Sequence, residues 1–196
     1  MSREPQALAG LVLAAGAGRR FAGPKQVATL GGETLVVRAS RLALQVCDAG
    51  VVVVTGAHAE VVAAALTGMP VGIVHHADWE AGMGGSLARG VSALPADARA
   101  CLVLLCDQAA ITGEDLGALV AAWRAAPGVA AAAAFSGTLG APAIFPAALW
   151  PGLAALQGER GARALLASLP RVSAVAMPRA AHDVDTPEDL GRLQPG

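Results

Sequence analysis

The sequence contains few charged side chains, and neither sign of charge is in excess. Charged residues make up 15% of its 196 positions, and the net charge is −1. Without a basic surplus, nothing favours binding to nucleic acid or to an anionic membrane, and we expect neither partner. Hydrophobic residues reach 55%, which excludes a disordered chain. The length suits one compact domain over residues 1–196, in which any attraction for phosphate must be local.

Cysteine is also scarce. The three cysteines, Cys47, Cys101 and Cys106, form no CxxC pair, and the last two are placed to face opposite sides of a predicted strand. This pattern predicts buried free thiols in a reducing compartment, which places the protein in the cytoplasm. No histidine stands at a zinc-ligand spacing from a cysteine, so zinc is not the expected metal. The histidines are His58, His75, His76 and His182.

Neither a leader peptide nor a membrane span is expected. Arg3 and Glu4 precede an apolar run that is too short for a signal peptide. No charge occurs between Arg124 and Glu159, but prolines and glycines interrupt this segment repeatedly. A spanning helix needs about 20 continuous apolar residues. We therefore predict buried strand, loop and short helix in this segment.

Four short runs of the sequence are almost wholly apolar. They cover residues 11–13, 51–55, 71–74 and 101–106. Continuous rather than alternating apolarity indicates strands that are covered on both faces, as in a parallel sheet. These runs therefore predict the central strands of an α/β fold.

Between these runs, apolar side chains recur at helical spacing. Residues 35–46 carry one such stripe. Thr112 and Thr186 are each followed three positions later by an aspartate, which predicts helix N-termini at both places. The alternation predicts a three-layer α/β/α sandwich around a mainly parallel sheet. In such folds, ligands bind at the carboxyl ends of the strands.

The most informative segment follows the first strand. Residues 13–25 read Leu-Ala-Ala-Gly-Ala-Gly-Arg-Arg-Phe-Ala-Gly-Pro-Lys. Its glycines let backbone N–H groups approach phosphate oxygens, because no Cβ stands in the way. Arg20 and Lys25 would neutralise the phosphates as catalytic cations, and we expect Lys25 to be exposed. The segment predicts a loop that wraps a nucleoside triphosphate, with further contacts from Leu13, Ala14, Ala15, Gly16, Ala17 and Gly18.

Two better-known glycine loops fit this segment poorly. The dinucleotide fingerprint fails at its third glycine, since residues 16–18 are followed by Arg-Arg-Phe. The P-loop fails because Pro24 stands where its lysine belongs and Gln26 replaces its serine or threonine. A plain strand-to-helix turn with solvated cations remains the alternative.

Carboxylates follow two other segments. Asp107 comes directly after the run 101–106, where a carboxylate holds nucleotide-bound Mg²⁺ or caps the next turn. Since Thr112 already starts the helix, capping is disfavoured. Asp183 and Asp185 are two positions apart on an extended segment, so both would face one metal, unless Asp183 bonds to backbone N–H groups instead. Two carboxylates together with phosphate oxygens suit Mg²⁺.

These segments resemble those of a known enzyme family. Residues 13–25 resemble the signature L-A-A-G-x-G-x-R-(M/F)-G-x-x-K of nucleotidyltransferases with a glycosyltransferase-A-like fold. Residues 107–109 resemble the D-Q-P motif, with Ala109 in place of the proline. Residues 183–190 resemble the D-(I/V)-D-T-P-E-D-L motif. Within that superfamily, the sequence is similar to the molybdenum cofactor cytidylyltransferases. The resemblance implies a Rossmann-like nucleotidyltransferase fold, with Asp107 and Asp185 as metal ligands and Asp107 beside the nucleotide.

The segment 82–87 resembles the family's G-M-x-x-S-L motif, which lies beside the nucleotide base. The resemblance implies nucleotide contacts from Gly84 and Ser86, since glycine permits close approach and a serine hydroxyl both donates and accepts. Without the family, the same residues predict a helix N-terminus with Ser86 as its cap. Trp79 and Met83 are expected to be packing residues.

Two later segments resemble the half of the family that meets the acceptor substrate. Residues 137–143 correspond to G-x-x-G-H-P-V, with Ala141 in place of the histidine, and residues 158–163 to G-D-x-G-A-R, with Glu159 in place of the aspartate. The implied acceptor contacts are Gly140, Arg160 and Arg163. The two arginines, one helical turn apart, would bind an anionic phosphate. A solvated helix face is the alternative.

The resemblance implies a Mg²⁺-dependent enzyme that transfers CMP from CTP to a phosphorylated acceptor, molybdopterin, and releases pyrophosphate. Two alternatives stay open. A guanylyltransferase, or a transferase for another phosphorylated acceptor, would use the same loop and metal with different base contacts. A non-catalytic protein that binds molybdenum cofactor and delivers it to a molybdoenzyme partner would keep the fold without turnover. The intact cations and carboxylates weigh against this last alternative, whereas Ala109 and Ala141 favour it.

Overall fold

A computed structural model describes residues 7–21 and 23–193 of the chain. The expectation that rests on Arg3 and Glu4 lies outside the described residues, as does position 22 of the glycine-rich loop. The predicted fold class is confirmed: a mainly parallel sheet is covered by helices on both faces.

Seven strands form the main sheet, and two very short strands form a separate ribbon. The strands are β1 (Leu8–Ala14), β2 (Thr29–Leu30), β3 (Glu33–Thr34), β4 (Val51–Thr55), β5 (Gly72–His75), β6 (Ala100–Leu105), β7 (Ala130–Phe135), β8 (Thr138–Pro146) and β9 (Val172–Ala176). The order across the main sheet is β5-β4-β1-β6-β8-β7-β9. β8 runs antiparallel to β6 and β7, whereas the other neighbours are parallel.

All the helices except the last fall into two layers, and Leu190 of the last helix packs in a third, smaller cluster. The helices are α1 (Leu35–Val46), α2 (Ala59–Ala65), α3 (Met83–Val91), α4 (Gly113–Ala125), α5 (Trp150–Ala154), α6 (Ala162–Ser168) and α7 (Pro187–Leu193). Side chains of α1, α2 and α4 pack into one apolar cluster, and side chains of α3, α5 and α6 pack into a second. Strand residues contribute to both clusters, which is why the central strands are apolar throughout.

Both predicted helix N-termini are present. Thr112 Oγ1 accepts a hydrogen bond from the Asp115 N–H, and the Asp115 carboxylate accepts one from the Thr112 N–H in return. Thr186 and Asp189 make the same reciprocal pair at the start of α7. Each pair satisfies backbone donors that an α-helix leaves free at its first turn.

The uncharged segment folds as predicted. It contains β7, β8, a short 3-10 helix and α5. In the part of the chain that the structure describes, no helix is long and apolar enough to cross a membrane. The three cysteines are free, and Cys101 and Cys106 lie in the two opposite apolar clusters.

Candidate active site

A cavity of about 530 Å³ opens at the carboxyl ends of β1 and β6. This is the edge of the sheet where ligands of α/β proteins bind. Four separate segments of the chain supply the predicted residues that line it. These residues are Leu13, Ala14, Ala15, Gly16, Ala17, Gly18, Arg20, Lys25, Ser86, Asp107 and Asp185.

The glycine-rich loop requires glycine at position 18. Gly18 has a φ of +62°, and a Cβ at this position would lie 2.6 Å from the Gly23 carbonyl oxygen. A side chain is therefore excluded by both backbone conformation and space. At Gly16, no atom lies within 4 Å of the position a Cβ would take. The loop thus leaves room at Gly16 for a ligand to approach the backbone.

Lys25 lies at the centre of the site. Its Nζ donates to Asp107 Oδ2 at 2.6 Å and to Asp185 Oδ1 at 3.2 Å. The third contact is to the Val184 carbonyl oxygen, also at 3.2 Å. The side chain is only 12% exposed, so the expectation of an exposed lysine is wrong. The reason is that two carboxylates from distant segments close over the ammonium group.

The charge environment keeps Lys25 protonated. Burial by itself lowers the pKa of this lysine, because it penalises the charged form. The negative charge and hydrogen bond of Asp107, with a further hydrogen bond to Asp185, outweigh that effect and raise the pKa above its ordinary value. Lys25 therefore carries a full positive charge at neutral pH.

Backbone contacts hold the two carboxylate segments together. The Val184 N–H donates to the Asp107 carbonyl oxygen at 2.9 Å, which places the chain before α7 beside the end of β6. Asp189 Oδ2 accepts from the Asp185 N–H at 3.2 Å. Arg20 donates to Asp185 Oδ2 at 2.8 Å. Asp107 and Asp185 thus converge, as the two segments' motifs imply.

The pair of carboxylates fits a divalent cation. The ammonium group of Lys25 already occupies a cationic position between them, and Asp107 Oδ1 is buried without a hydrogen-bond partner. Among the described residues, no group of three or more His, Cys, Asp or Glu side chains is arranged to hold a metal. Asp107 and Asp185 would therefore hold Mg²⁺ only together with phosphate and water oxygens, which is how this ion is usually bound.

Asp183 does not line the cavity, although it was considered as a second metal-facing residue on the same segment. Desolvation raises the pKa of Asp183 to about 6, and the negative charges of Asp107 and Asp185 add to that effect. Asp183 is thus close enough to the carboxylate pair for its negative charges to act on the pKa, but it is not part of the cavity wall.

In the segment 82–87, which was expected beside the nucleotide base, Ser86 and Gly84 have different roles. Ser86 lines the cavity and is 5% exposed. Gly84 does not line it: a Cβ on Gly84 would lie 2.6 Å from the Gln157 backbone nitrogen. The absent side chain lets α3 lie against the chain after α5, so Gly84 serves packing rather than the predicted nucleotide contact. Ser86 is not a helix cap, because α3 already begins at Met83.

Sequence reasoning missed several residues that line the cavity. Met83 was expected to pack but is 39% exposed, and Trp79 both packs against the second apolar cluster and lines the cavity. Gln26 was noted only as a mismatch to the P-loop, yet it is buried in the cavity wall. Glu80 and Glu159 also line the cavity. Their positions in the sequence do not predict a cavity contact, because they reach the cavity only through the turns at residues 79–82 and 157–161.

The three predicted acceptor residues lie outside this cavity. Arg160 and Arg163 do not share a helix turn, because α6 begins at Ala162 and Arg160 precedes it. The Arg163 guanidinium lies 5.9 Å from the centroid of the Phe135 ring, a cation–π distance, beside Gly140. Gly140 and Arg163 are therefore neighbours, and Arg160 stands apart on the preceding turn.

Comparisons with known proteins agree with this fold. The model of the MobA-like NTP transferase domain matches residues 10–173. The chain is 35% identical to nicotine blue oxidoreductase of Paenarthrobacter nicotinovorans, covering 94% of this chain and 95% of that protein.

Two solved structures have the same fold over nearly the whole chain. One is a homologue of Mycobacterium tuberculosis Rv0371c from Mycobacterium sp. strain JC1, with 27% identity, a TM-score of 0.80, and coverage of 96% of this chain and 95% of that one. The other is Rv0371c of M. tuberculosis H37Rv in complex with manganese, with 26% identity and a TM-score of 0.78, covering 95% of this chain and 97% of that one.

Proposed function

We propose, since this chain belongs to the family of MobA-like NTP transferase domains, that it transfers CMP from CTP to a phosphorylated acceptor and releases pyrophosphate. The acceptor we propose is molybdopterin, and the cofactor is Mg²⁺. One observation carries the proposal: a single cavity gathers the glycine-rich loop, both predicted cations and both carboxylates. CTP and molybdopterin themselves rest on the resemblance of the sequence motifs to the molybdenum cofactor cytidylyltransferases.

The reaction needs positioning and charge neutralisation more than covalent chemistry from the protein. An oxygen of the acceptor phosphate attacks the α-phosphorus of CTP, and the bond to the bridging oxygen breaks, so that its electron pair leaves with pyrophosphate. The attacking oxygen is already ionised near neutral pH, so no general base is required. Bound Mg²⁺ supplies charge neutralisation and alignment of the phosphates. Arg20 and Lys25 stabilise the charge that develops on the leaving group.

Lys25 must change partners to perform this role. An ammonium group has three N–H donors, and all three are used by Asp107, Asp185 and Val184. Contact with a phosphate therefore requires Lys25 to give up at least one of these bonds. We propose that Lys25 turns from the carboxylates to the triphosphate, and that Asp107 and Asp185, once released, would hold the divalent cation.

The remaining parts of the proposal concern choice of substrate and location. A guanylyltransferase would use the same loop and carboxylates, so base choice depends on contacts near Ser86. Ala109 and Ala141 depart from the family's motifs, and a cofactor carrier that meets a molybdoenzyme remains an alternative. We place the protein in the cytoplasm because its three cysteines are free.

An oxidoreductase is the second candidate function. The observation that favours it is the similarity to nicotine blue oxidoreductase of P. nicotinovorans, which is 35% identical over nearly the full length of both chains. In that case, the glycine-rich loop and its cations would bind the pyrophosphate of a reduced dinucleotide. Hydride transfer from that donor would replace attack on an α-phosphorus.

The experiment that separates these functions measures two products in parallel. Pyrophosphate release is followed with each of the four NTPs and Mg²⁺, with and without molybdopterin, and oxidation of NADH or NADPH is followed with a quinonoid acceptor. Acceptor-dependent pyrophosphate release with CTP supports the proposal. Release with GTP alone favours the guanylyltransferase. Dinucleotide oxidation without pyrophosphate release favours the oxidoreductase, and no product in either assay favours the carrier.

A further inference from the structure

In the glycine-rich loop, the carbonyl oxygens of residues 14–18 each accept a hydrogen bond. The side-chain amide of Gln26 donates from Nε2 to the carbonyls of both Ala14 and Gly16. The Nε2 of His58 lies 3.1 Å from the Ala17 carbonyl oxygen, a contact that requires the proton on Nε2. Two side chains thus bond to three carbonyl oxygens of the same loop.

Backbone donors hold the remaining carbonyls. The Ala57 N–H donates to the Ala15 carbonyl at 3.0 Å, and the Phe21 N–H to the Gly18 carbonyl at 2.8 Å. The backbone N–H groups of residues 16–18, in contrast, have no acceptor among residues 7–21 and 23–193. With the carbonyls engaged, these N–H groups of cavity-lining residues are left for a ligand, an arrangement that suits a polyanion.

The side-chain amide of Gln26 is oriented so that its Nε2 donates to the loop carbonyls. Gln26 is 1% exposed, it lines the cavity wall, and its Oε1 is buried without a hydrogen-bond partner. Buried polar atoms are usually paired. Because the Gln26 Oε1 is unpaired, the orientation of this amide is set by the two hydrogen bonds that its Nε2 donates. Here those donors fix two carbonyls of the loop. Gln26 and His58, which bond to the loop carbonyls, are called the clamp below. Gln26 follows Lys25 directly in the chain, so the two residues share one short helical turn.

We propose that Gln26 and His58 are positioning residues that keep the loop carbonyls out of the cavity and thereby aim its N–H groups at the triphosphate. This inference rests on the proposed function, because it assumes that the loop binds phosphates. It adds to that function two residues from different elements, neither of which touches the reacting atoms. A merely structural role would change stability without changing affinity for phosphates in particular.

The test uses tripolyphosphate, which presents the phosphates without a base or ribose. Gln26→Met keeps the length of the side chain and removes both donors. His58→Leu removes the other clamp, and His58→Gln restores an N–H donor of similar reach. Gln45→Met, on the exposed face of α1, is the matched control. Binding of Mg²⁺-tripolyphosphate and Mg²⁺-CTP is measured by calorimetry, and the melting temperature is recorded for every variant.

We expect Gln26→Met and His58→Leu each to weaken both ligands by about 10-fold, a loss typical of one or two hydrogen bonds. His58→Gln should recover most of the affinity, and Gln45→Met should bind as the wild type does. Because Gln26→Met also removes the unpaired Oε1, its melting temperature should change little. If Gln26→Met fails to fold, the two His58 variants decide the question alone.

Two results would overturn the inference in distinguishable ways. Wild-type affinity for tripolyphosphate in folded Gln26→Met and His58→Leu, or equal losses in His58→Leu and His58→Gln, would remove the clamp role and leave the proposed function intact. A wild-type protein that binds neither tripolyphosphate nor CTP would overturn the proposed function, and the clamp role with it.

Discussion

Lys25 Nζ and Asp107 Oδ2 lie 2.6 Å apart although the two residues are 82 positions apart in the chain. Lys25 is the only lysine of the sequence, and its ammonium group forms ion pairs with both Asp107 and Asp185. In this structure, Lys25 is therefore bound by the same two carboxylates that would bind the metal. This relationship determines several measurable properties.

Removal of the Asp107 charge should stop turnover without unfolding the protein. Asp107→Asn should lower turnover by at least ~10², because one of the two carboxylates that we propose as metal ligands is lost. The measurement is CTP-dependent pyrophosphate release at saturating Mg²⁺, with circular dichroism to verify folding. Asp97→Asn, at an exposed position, is the control and should keep wild-type turnover. Near-normal turnover of Asp107→Asn would contradict the assignment of the metal.

Removal of Lys25 should affect metal and nucleotide in opposite directions. Lys25→Met should strengthen binding of Mn²⁺ alone by about 10-fold or more, because the competing cation between the carboxylates is gone. The same variant should weaken CTP binding by about 10- to 150-fold, the effect of losing one charge-assisted contact. Calorimetry with each ligand checks both effects. Unchanged Mn²⁺ affinity together with unchanged CTP affinity would mean that the lysine only holds the loop.

Lys25 should also give the protein a distinct response to alkaline pH. Its folded-state pKa is raised, so its contribution to stability is complete below the ordinary lysine pKa of 10.5 and is lost as pH rises through the raised value. The difference in melting temperature between the wild type and Lys25→Met should therefore be constant from pH 7 to about 9 and shrink above about 10.5. A difference that stays constant to pH 11.5 would argue against the ion pairs.

The opposite pH dependence is expected at Asp189. Hydrogen bonds from the Thr186 hydroxyl and from the N–H groups of Thr186 and Asp185 lower the pKa of this carboxyl. Its contribution is therefore present above the ordinary value of 3.8 and is lost as pH falls through the lowered one. Asp189→Asn should be less stable than the wild type at pH 7, and the gap should close below about pH 3.5. A gap that persists in acid would show that the charge of Asp189 is irrelevant.

Nucleotide choice should favour a pyrimidine. The resemblance of residues 13–25 and 82–87 to the cytidylyltransferases motivates a preference for CTP over GTP. A site built for the hydrogen-bonding edge of cytosine should bind purine nucleotides about 10²-fold more weakly. Competition calorimetry with Mg²⁺ measures the ratio. Equal affinities would favour the guanylyltransferase instead.

Local sequence patterns predicted the elements that surround the site. Continuous apolar runs predicted β1, β4, β5 and β6. The reason holds for β1, β4 and β6, which are buried and have no polar side to reveal alternation. The prediction of a central strand from the run 71–74 is wrong, because β5 is an exposed edge strand of the sheet. The aspartates three residues after Thr112 and Thr186 predicted the starts of α4 and α7, since a helix cap is decided within one turn. These features depend only on neighbours in the chain.

What the sequence failed to predict depends on distant contacts. β8 contains Pro142 and Pro146, which break the strand pattern, and only its pairing with β6 and β7 identifies it. Gly84 was assigned to the ligand because a missing Cβ has the same sequence signature whether a ligand or a backbone approaches. Burial of Lys25 and the clamp role of Gln26 likewise follow from partners that the local motif does not contain.

The most direct test of nucleotidyl transfer follows the α-phosphorus itself. CTP labelled at the α-phosphate is incubated with the protein, Mg²⁺ and molybdopterin, and the products are separated by chromatography. The account predicts that label moves into an acceptor-bound CMP product, in equal amount to the pyrophosphate released, and that Asp107→Asn abolishes both. Label that remains in CTP, or that appears only as free CMP whether or not the acceptor is present, would contradict it.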